Sequence, residues 1–143
     1  MARLQLKPLA EYPFCTEITV RTTDINYGGH LGNDRVLTLV HEARVAWLAN
    51  YGWSEHDCAG SGLIMGDAGL VFKNEAFAGD RLEIEVGASG ASRSGFRLHF
   101  RLNRVNGTNR EVIALVENGM ICFDYTARRI ISLPAAVAKL CAD

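Results

Sequence analysis

Ile18 and Val20 alternate with Thr19 and Arg21, so Glu17 to Thr22 predicts a half-buried strand. The period then changes. Val36, Leu39, Val40, Ala43, Ala46 and Trp47 recur at helical spacing between Asn33 and Asn50. Asn33 or Asp34 can cap the start of that helix, and Asn50-Tyr51-Gly52 can stop it. At ~1.5 Å of rise per residue the helix is roughly 25 Å long. Strand patterns fill the remainder. Leu63 to Lys73 is apolar with small residues mixed in. Leu82, Ile84 and Val86 alternate with Arg81, Glu83 and Glu85, and Phe96, Leu98, Phe100 and Leu102 alternate with Arg97, His99 and Arg101. Asn106-Gly107 is a hairpin signal that opens a long strand from about Glu111 to Tyr125. Turns at Ala78-Gly79-Asp80 and Ser89-Gly90 punctuate the series, and Pro134 can open a short last helix.

One strand, one long helix and four strands joined by short turns predict an α+β domain over residues 1–143. Antiparallel strands in sequence make a curled sheet with one apolar face, here of about five strands, and the long helix fills it. Between first strand and helix lies Thr23-Asp24-Ile25-Asn26-Tyr27-Gly28-Gly29-His30-Leu31-Gly32-Asn33-Asp34. A polar, glycine-rich loop that feeds a helix N-terminus leaves backbone N–H groups able to polarise a carbonyl or hold an anion.

Composition narrows the picture only a little. With 143 residues, 48% apolar and 22% charged, the chain fits one globular domain that dimerisation would help to stabilise. A net charge of −1 gives no broad nucleic-acid footprint. Cys15, Cys58, Cys122 and Cys141 form neither a Cys-x-x-Cys pair nor a zinc spacing, and read as free thiols of a reducing compartment. Met1 to Phe14 lacks a signal-peptide apolar run, and no apolar run approaches the ~20 residues that span a bilayer. The expectation is a cytoplasmic protein without a membrane partner.

The element order and the loop together resemble the hotdog-fold thioesterases, in the branch of 4-hydroxybenzoyl-CoA and acyl-CoA thioesterases. The residues that carry the likeness are Asp24, Asn26, Gly29, His30 and Asn33, then Glu42-Ala43-Arg44 on the helix. Weaker matches are Gly79-Asp80, Arg93-Ser94, Cys122-Phe123-Asp124, Arg128-Arg129 and Leu133-Pro134. The resemblance implies a hotdog fold, hydrolysis of an acyl-CoA thioester and an oxyanion-binding N–H at Asn33. It places Arg93 and Ser94 where relatives meet the CoA phosphates; ordinary strand-end surface is the other reading of both. No metal or redox cofactor is implied, since coenzyme A is part of the substrate.

One departure matters. The family's second loop aspartate, the catalytic carboxylate in many relatives, is Asn26 here. A neutral amide can orient water or bind a carbonyl but cannot serve as nucleophile or base. Glu42 is the leading replacement, because some hotdog thioesterases are known to carry their carboxylate on the central helix. It lies nine residues past Asn33, about 13 Å along the axis. Donor and base would therefore come from different subunits of a homodimer or homotetramer whose active site sits at an interface. A solvated helix face is the other reading of Glu42. Asp24 is a second candidate, or a turn cap. His30 can hydrogen-bond the thioester carbonyl or hold the loop.

These features predict an acyl-CoA thioesterase in which the Asn33 N–H binds the oxyanion, Glu42 supplies the carboxylate, and Asn26 and His30 shape the site. A non-catalytic acyl-CoA binding module of the same fold is the alternative, with Asn26 its best support. A hotdog dehydratase is a third reading, but its Asp/His motifs are not found here.

Overall fold

A computed structural model describes residues 1–142. Strand β1 (Phe14–Thr19) passes through a 3-10 turn at Thr22–Asp24 into α1 (Asn33–Asn50). Strands β2 (Gly62–Phe72), β3 (Arg81–Ser89), β4 (Gly95–Asn106) and β5 (Asn109–Asp124) follow. Two short strands, β6 (Arg129–Ile130) and β7 (Cys141–Ala142), flank a short helix α2 (Ala135–Ala138). The long strands are ordered β1-β3-β4-β5-β2 and every pairing among them is antiparallel. β6 extends the pairing of β5, and β7 runs parallel to β3. A curled antiparallel sheet around one long helix is the hotdog fold.

The alternation read from the sequence decides which face is buried. Leu82, Ile84, Val86, Phe96, Leu98, Phe100 and Leu102 point inward and meet Val36, Leu39, Val40, Ala43, Trp47 and Leu48 of α1. Fully burying each such large side chain contributes roughly 1.5–3 kcal/mol. Trp47 anchors the far end of the helix, with ring centroids 5.3 Å from Tyr51 and 6.1 Å from Phe96. Arginines and carboxylates fill the other face of the sheet.

The helix begins differently from expectation. Its N-cap is Gly32, not Asn33 or Asp34, and among the described residues no side chain caps it. Gly32 is extended (φ −69°, ψ 142°), and a Cβ there would stand 2.6 Å from Asp34 Oδ1. Asn33 is thus the first helical residue; the Arg35 N–H donates to Gly32 O at 3.0 Å, while among the described residues the Asn33 N–H is left open. Pro134 likewise caps α2 rather than opening it. The buried face of α1 also takes in Arg44, while Ala46 is only half-buried. Arg44 is tolerated there because its Nε donates to Glu55 Oε1 at 2.7 Å and its guanidinium to Asn118 Oδ1 at 3.0 Å.

Candidate functional site

The loop before α1 is held by its own polar groups. The Asn26 N–H donates to His30 O at 2.9 Å, closing a tight turn in which Gly29 takes φ +84°. Asn26 Oδ1 accepts the Gly28 N–H at 2.9 Å and, more weakly, the His30 N–H at 3.4 Å. That oxygen is therefore engaged, and what Asn26 has left to offer a ligand is its N–H₂ donor. The residue that departs from the family pattern is a loop organiser and a donor, and holds no proton-accepting carboxylate.

A second segment comes up beside this loop. The Leu31 N–H donates to Ala76 O at 2.7 Å. On the other side the Lys73 N–H donates to Ile113 O at 2.8 Å and Asn74 Nδ2 to Val112 O at 2.7 Å. The β2–β3 connection is pinned to the loop on one flank and to β5 on the other, with Glu75 between the pins. A cleft of about 320 Å³ opens there, near the small end of ligand-site sizes. Asn26, His30, Asn33 and Val36 line it from the loop and the first turn of α1; Phe72 to Ala76 line it from the connection, and Ile113 and Ala114 from β5.

His30 Nε2 lies 3.7 Å from Glu75 Oε1, and His30 Nδ1 lies 3.4 Å from the Leu31 carbonyl. Both side chains keep solvent contact, at 34% and 64% exposure. The Asn33 N–H, first on the helix, has no acceptor among the described residues. An open helix N-terminus, an amide donor and a histidine–carboxylate pair thus face one cleft with an apolar wall of Val36, Phe72 and Ile113. This arrangement can polarise a carbonyl and take up a proton.

Four of the expected residues fall elsewhere. Asp24 is 1% exposed, outside the cleft lining, and is a turn cap. Its carboxylate accepts the Arg21 N–H at 2.9 Å and both arms of the Arg21 guanidinium at 3.1 and 2.9 Å. That hydrogen bonding from Arg21 holds the Asp24 carboxyl below its ordinary range, against the opposing effect of burial. Glu42 is exposed on α1, two turns past the cleft. Arg93 is exposed and Ser94 half-buried at the start of β4, and neither lines the cleft. Asp67 sits at a bulge of β2 and pairs outward with Arg97 at 2.5 Å. Burial pushes the Cys58 thiol up to about 12, which removes it as a nucleophile. Among the described residues no group of His, Cys, Asp and Glu side chains could hold a metal ion, and no helix is long and apolar enough to cross a membrane.

Glu75 is the residue that sequence reasoning missed. Its position four residues before the Gly79-Asp80 turn reads as an ordinary loop carboxylate. Only the Leu31–Ala76 hydrogen bond, a long-range pairing, brings it to the glycine-rich loop.

Fold and cleft together define a hotdog-fold domain with a polar-and-apolar cleft at the N-terminal tip of its central helix. Residues 20–140 match the thioesterase-like superfamily, and the chain belongs to that family and so to a class of thioester hydrolases. It is 28% identical over 130 residues to a 1,4-dihydroxy-2-naphthoyl-CoA hydrolase of Synechococcus elongatus, covering 88% of this chain and 91% of that protein. The crystal structure of a 1,4-dihydroxy-2-naphthoyl-CoA thioesterase from Synechocystis superposes with TM-score 0.77 at 22% identity, over 89% of this chain and 93% of that one. An aspartate-to-asparagine mutant of 4-hydroxybenzoyl-CoA thioesterase, complexed with 4-hydroxybenzoyl-CoA, superposes with TM-score 0.78 at 17% identity, over 90% and 98% of the two chains.

Proposed function

We propose that this protein hydrolyses acyl-CoA thioesters to a free acid and coenzyme A. The observation that carries the reading is the open Asn33 N–H at the floor of a cleft with a proton-accepting pair beside it. The thioester carbonyl oxygen docks against the Asn33 N–H, with the Asn26 N–H₂ as a second donor. As water adds, negative charge grows on that oxygen, and a preorganised donor stabilises it by about 3 kcal/mol. Val36, Phe72 and Ile113 receive the acyl group, and Lys73 is a cation of the cleft available to the anionic coenzyme. Aromatic hydroxyacyl esters head the list of acyl groups to try, because the named relatives act on or bind such esters. Glu42 can serve this cleft only from a second copy whose α1 lies antiparallel to the first, so that reading requires a homodimer or larger homo-oligomer.

Asn33→Pro tests the donor. Proline is favoured at the first helical position, and Gly32 already has the extended backbone a following proline requires. The variant removes the N–H with little disturbance of the helix. Turnover of a panel of acyl-CoA esters, followed by thiol release, is expected to drop about 10²–10³-fold in kcat. Turnover unchanged by the proline would sink the assignment of the donor.

The second reading is a binding module that holds acyl-CoA without cleaving it. It is favoured by Asn26 and by the crystal structure of an aspartate-to-asparagine mutant of 4-hydroxybenzoyl-CoA thioesterase complexed with 4-hydroxybenzoyl-CoA. Saturable binding with no thiol release would establish it.

A further inference from the structure

Loss of the loop carboxylate leaves the cleft in need of a base, and the cleft contains one. Among its described lining residues Glu75 is the only carboxylate. Its backbone is fixed between the Ala76–Leu31 hydrogen bond and the Lys73 and Asn74 hydrogen bonds to β5. Its Oε1 faces His30 Nε2 at 3.7 Å, too long for a direct hydrogen bond but short enough for both groups to hold one water. The other carboxylates near the loop are unsuited: Asp34 is exposed and does not line the cleft. Asp24 is buried and clamped by Arg21, and Glu42 is about 13 Å farther along the helix axis.

We propose that Glu75 is the general base of thioester hydrolysis, acting within one subunit, and that His30 is its positioning residue. This rests on the thioesterase reading above. Glu75 takes a proton from a water as the water oxygen bonds to the acyl carbon. The electron pair of the C=O bond moves to the oxygen at the Asn33 N–H. When that pair returns, the C–S bond breaks and Glu75 passes its proton to the leaving sulfur. Water is divided between acid and thiol, and no co-reactant is required.

Glu75→Gln keeps size and hydrogen bonding but cannot accept the proton. The side chain is 64% exposed, so the fold should hold and Tm should stay within about 2 °C. The expected result is a fall of at least about 100-fold in kcat with KM changed less than threefold. The acid limb of the wild-type pH–rate profile should vanish in the residual activity, and Glu75→Asp should recover part of the loss. Glu75→Gln within threefold of wild type overturns the proposal, as does Glu42→Gln inactive while Glu75→Gln is active. Those outcomes leave the hydrolase reading intact. No thiol release by the wild type from any ester tried overturns that reading, and this assignment with it.

Discussion

The outer face of the sheet and the cleft carry the same kinds of side chain in opposite states. On the sheet every carboxylate named here is gripped. Glu85 accepts from Arg101 at 2.8 and 3.1 Å and from Asn103 at 2.6 Å. Burial alone would raise its carboxyl; those donors outweigh it and hold the group below its ordinary range. Arg97 bridges Asp67 and Glu117, and Arg110 pairs with Glu83. In the cleft the one partner of the Glu75 carboxylate among the described residues is His30, at 3.7 Å. A carboxylate saturated with donors is a strut and a poor base; one left under-donated can accept a proton. Even Ser89, His99 and Glu117, which line up at 2.6 and 3.6 Å like a hydrolase triad, belong to the first group, because Arg97 claims the second oxygen of Glu117. Position in a hydrogen-bond network separates structural from chemical charges here, and residue type does not.

The contrast breaks most visibly where a strut is cut. Arg44→Met should remove about 3 kcal/mol of stability, because it leaves the buried Asn118 Oδ1 without its donor and Glu55 without its cation. Thermal unfolding should fall by roughly 10 °C, with kcat at low temperature held within threefold. A large loss of kcat with Tm intact would show that Arg44 belongs to the chemistry.

Asp24 sharpens the same point through pH. Its folded carboxyl is held below the ordinary ~3.9. A lowered folded value means stability that is present above the ordinary value and lost as pH falls through the lowered one. Asp24→Asn should cost about 1–3 kcal/mol at pH 7 in chemical unfolding. The two proteins should converge as pH drops below about 4. A gap that stays constant into acid would mean that the Arg21 clamp is not its source.

Much of this architecture is legible along the chain. Period-two alternation in Leu82 to Val86 and Phe96 to Leu102 gave the sheet and its buried face, and period 3.6 from Val36 to Trp47 gave the helix. Local pattern failed where a partner distant in sequence decides. Nothing beside Arg44 in the chain marks it as buried; Glu55 and Asn118, brought in by the fold, make its burial tolerable. Asp24 was readable as a turn cap because its partner, Arg21, is three residues away. At the site, Asn26, His30 and Asn33 were found because one loop carries them all, and they do line one cleft. Glu75 was invisible because its nearness to His30 depends on a hydrogen bond between residues 31 and 76. The resemblance favoured Glu42 instead, and a single subunit leaves it on an exposed face.

The cleft can also be rebuilt. In a Glu75→Gln background, Asn26→Asp returns a carboxylate to the loop position the family uses. An aspartate oxygen can still accept the Gly28 and His30 N–H groups, so the turn should survive, and its second oxygen replaces the Asn26 N–H₂ in the cleft. The double variant should recover at least about tenfold in kcat over Glu75→Gln alone, equivalent to about 1.4 kcal/mol of barrier. The same Asn26→Asp change in the otherwise wild-type protein should do less, since two nearby carboxylates hinder each other's ionisation. Measured side by side, the two backgrounds ask whether the cleft needs one under-donated carboxylate from either wall. Equal effects of Asn26→Asp in both would mean that positions 26 and 75 act independently, and would remove the case for one base having replaced the other.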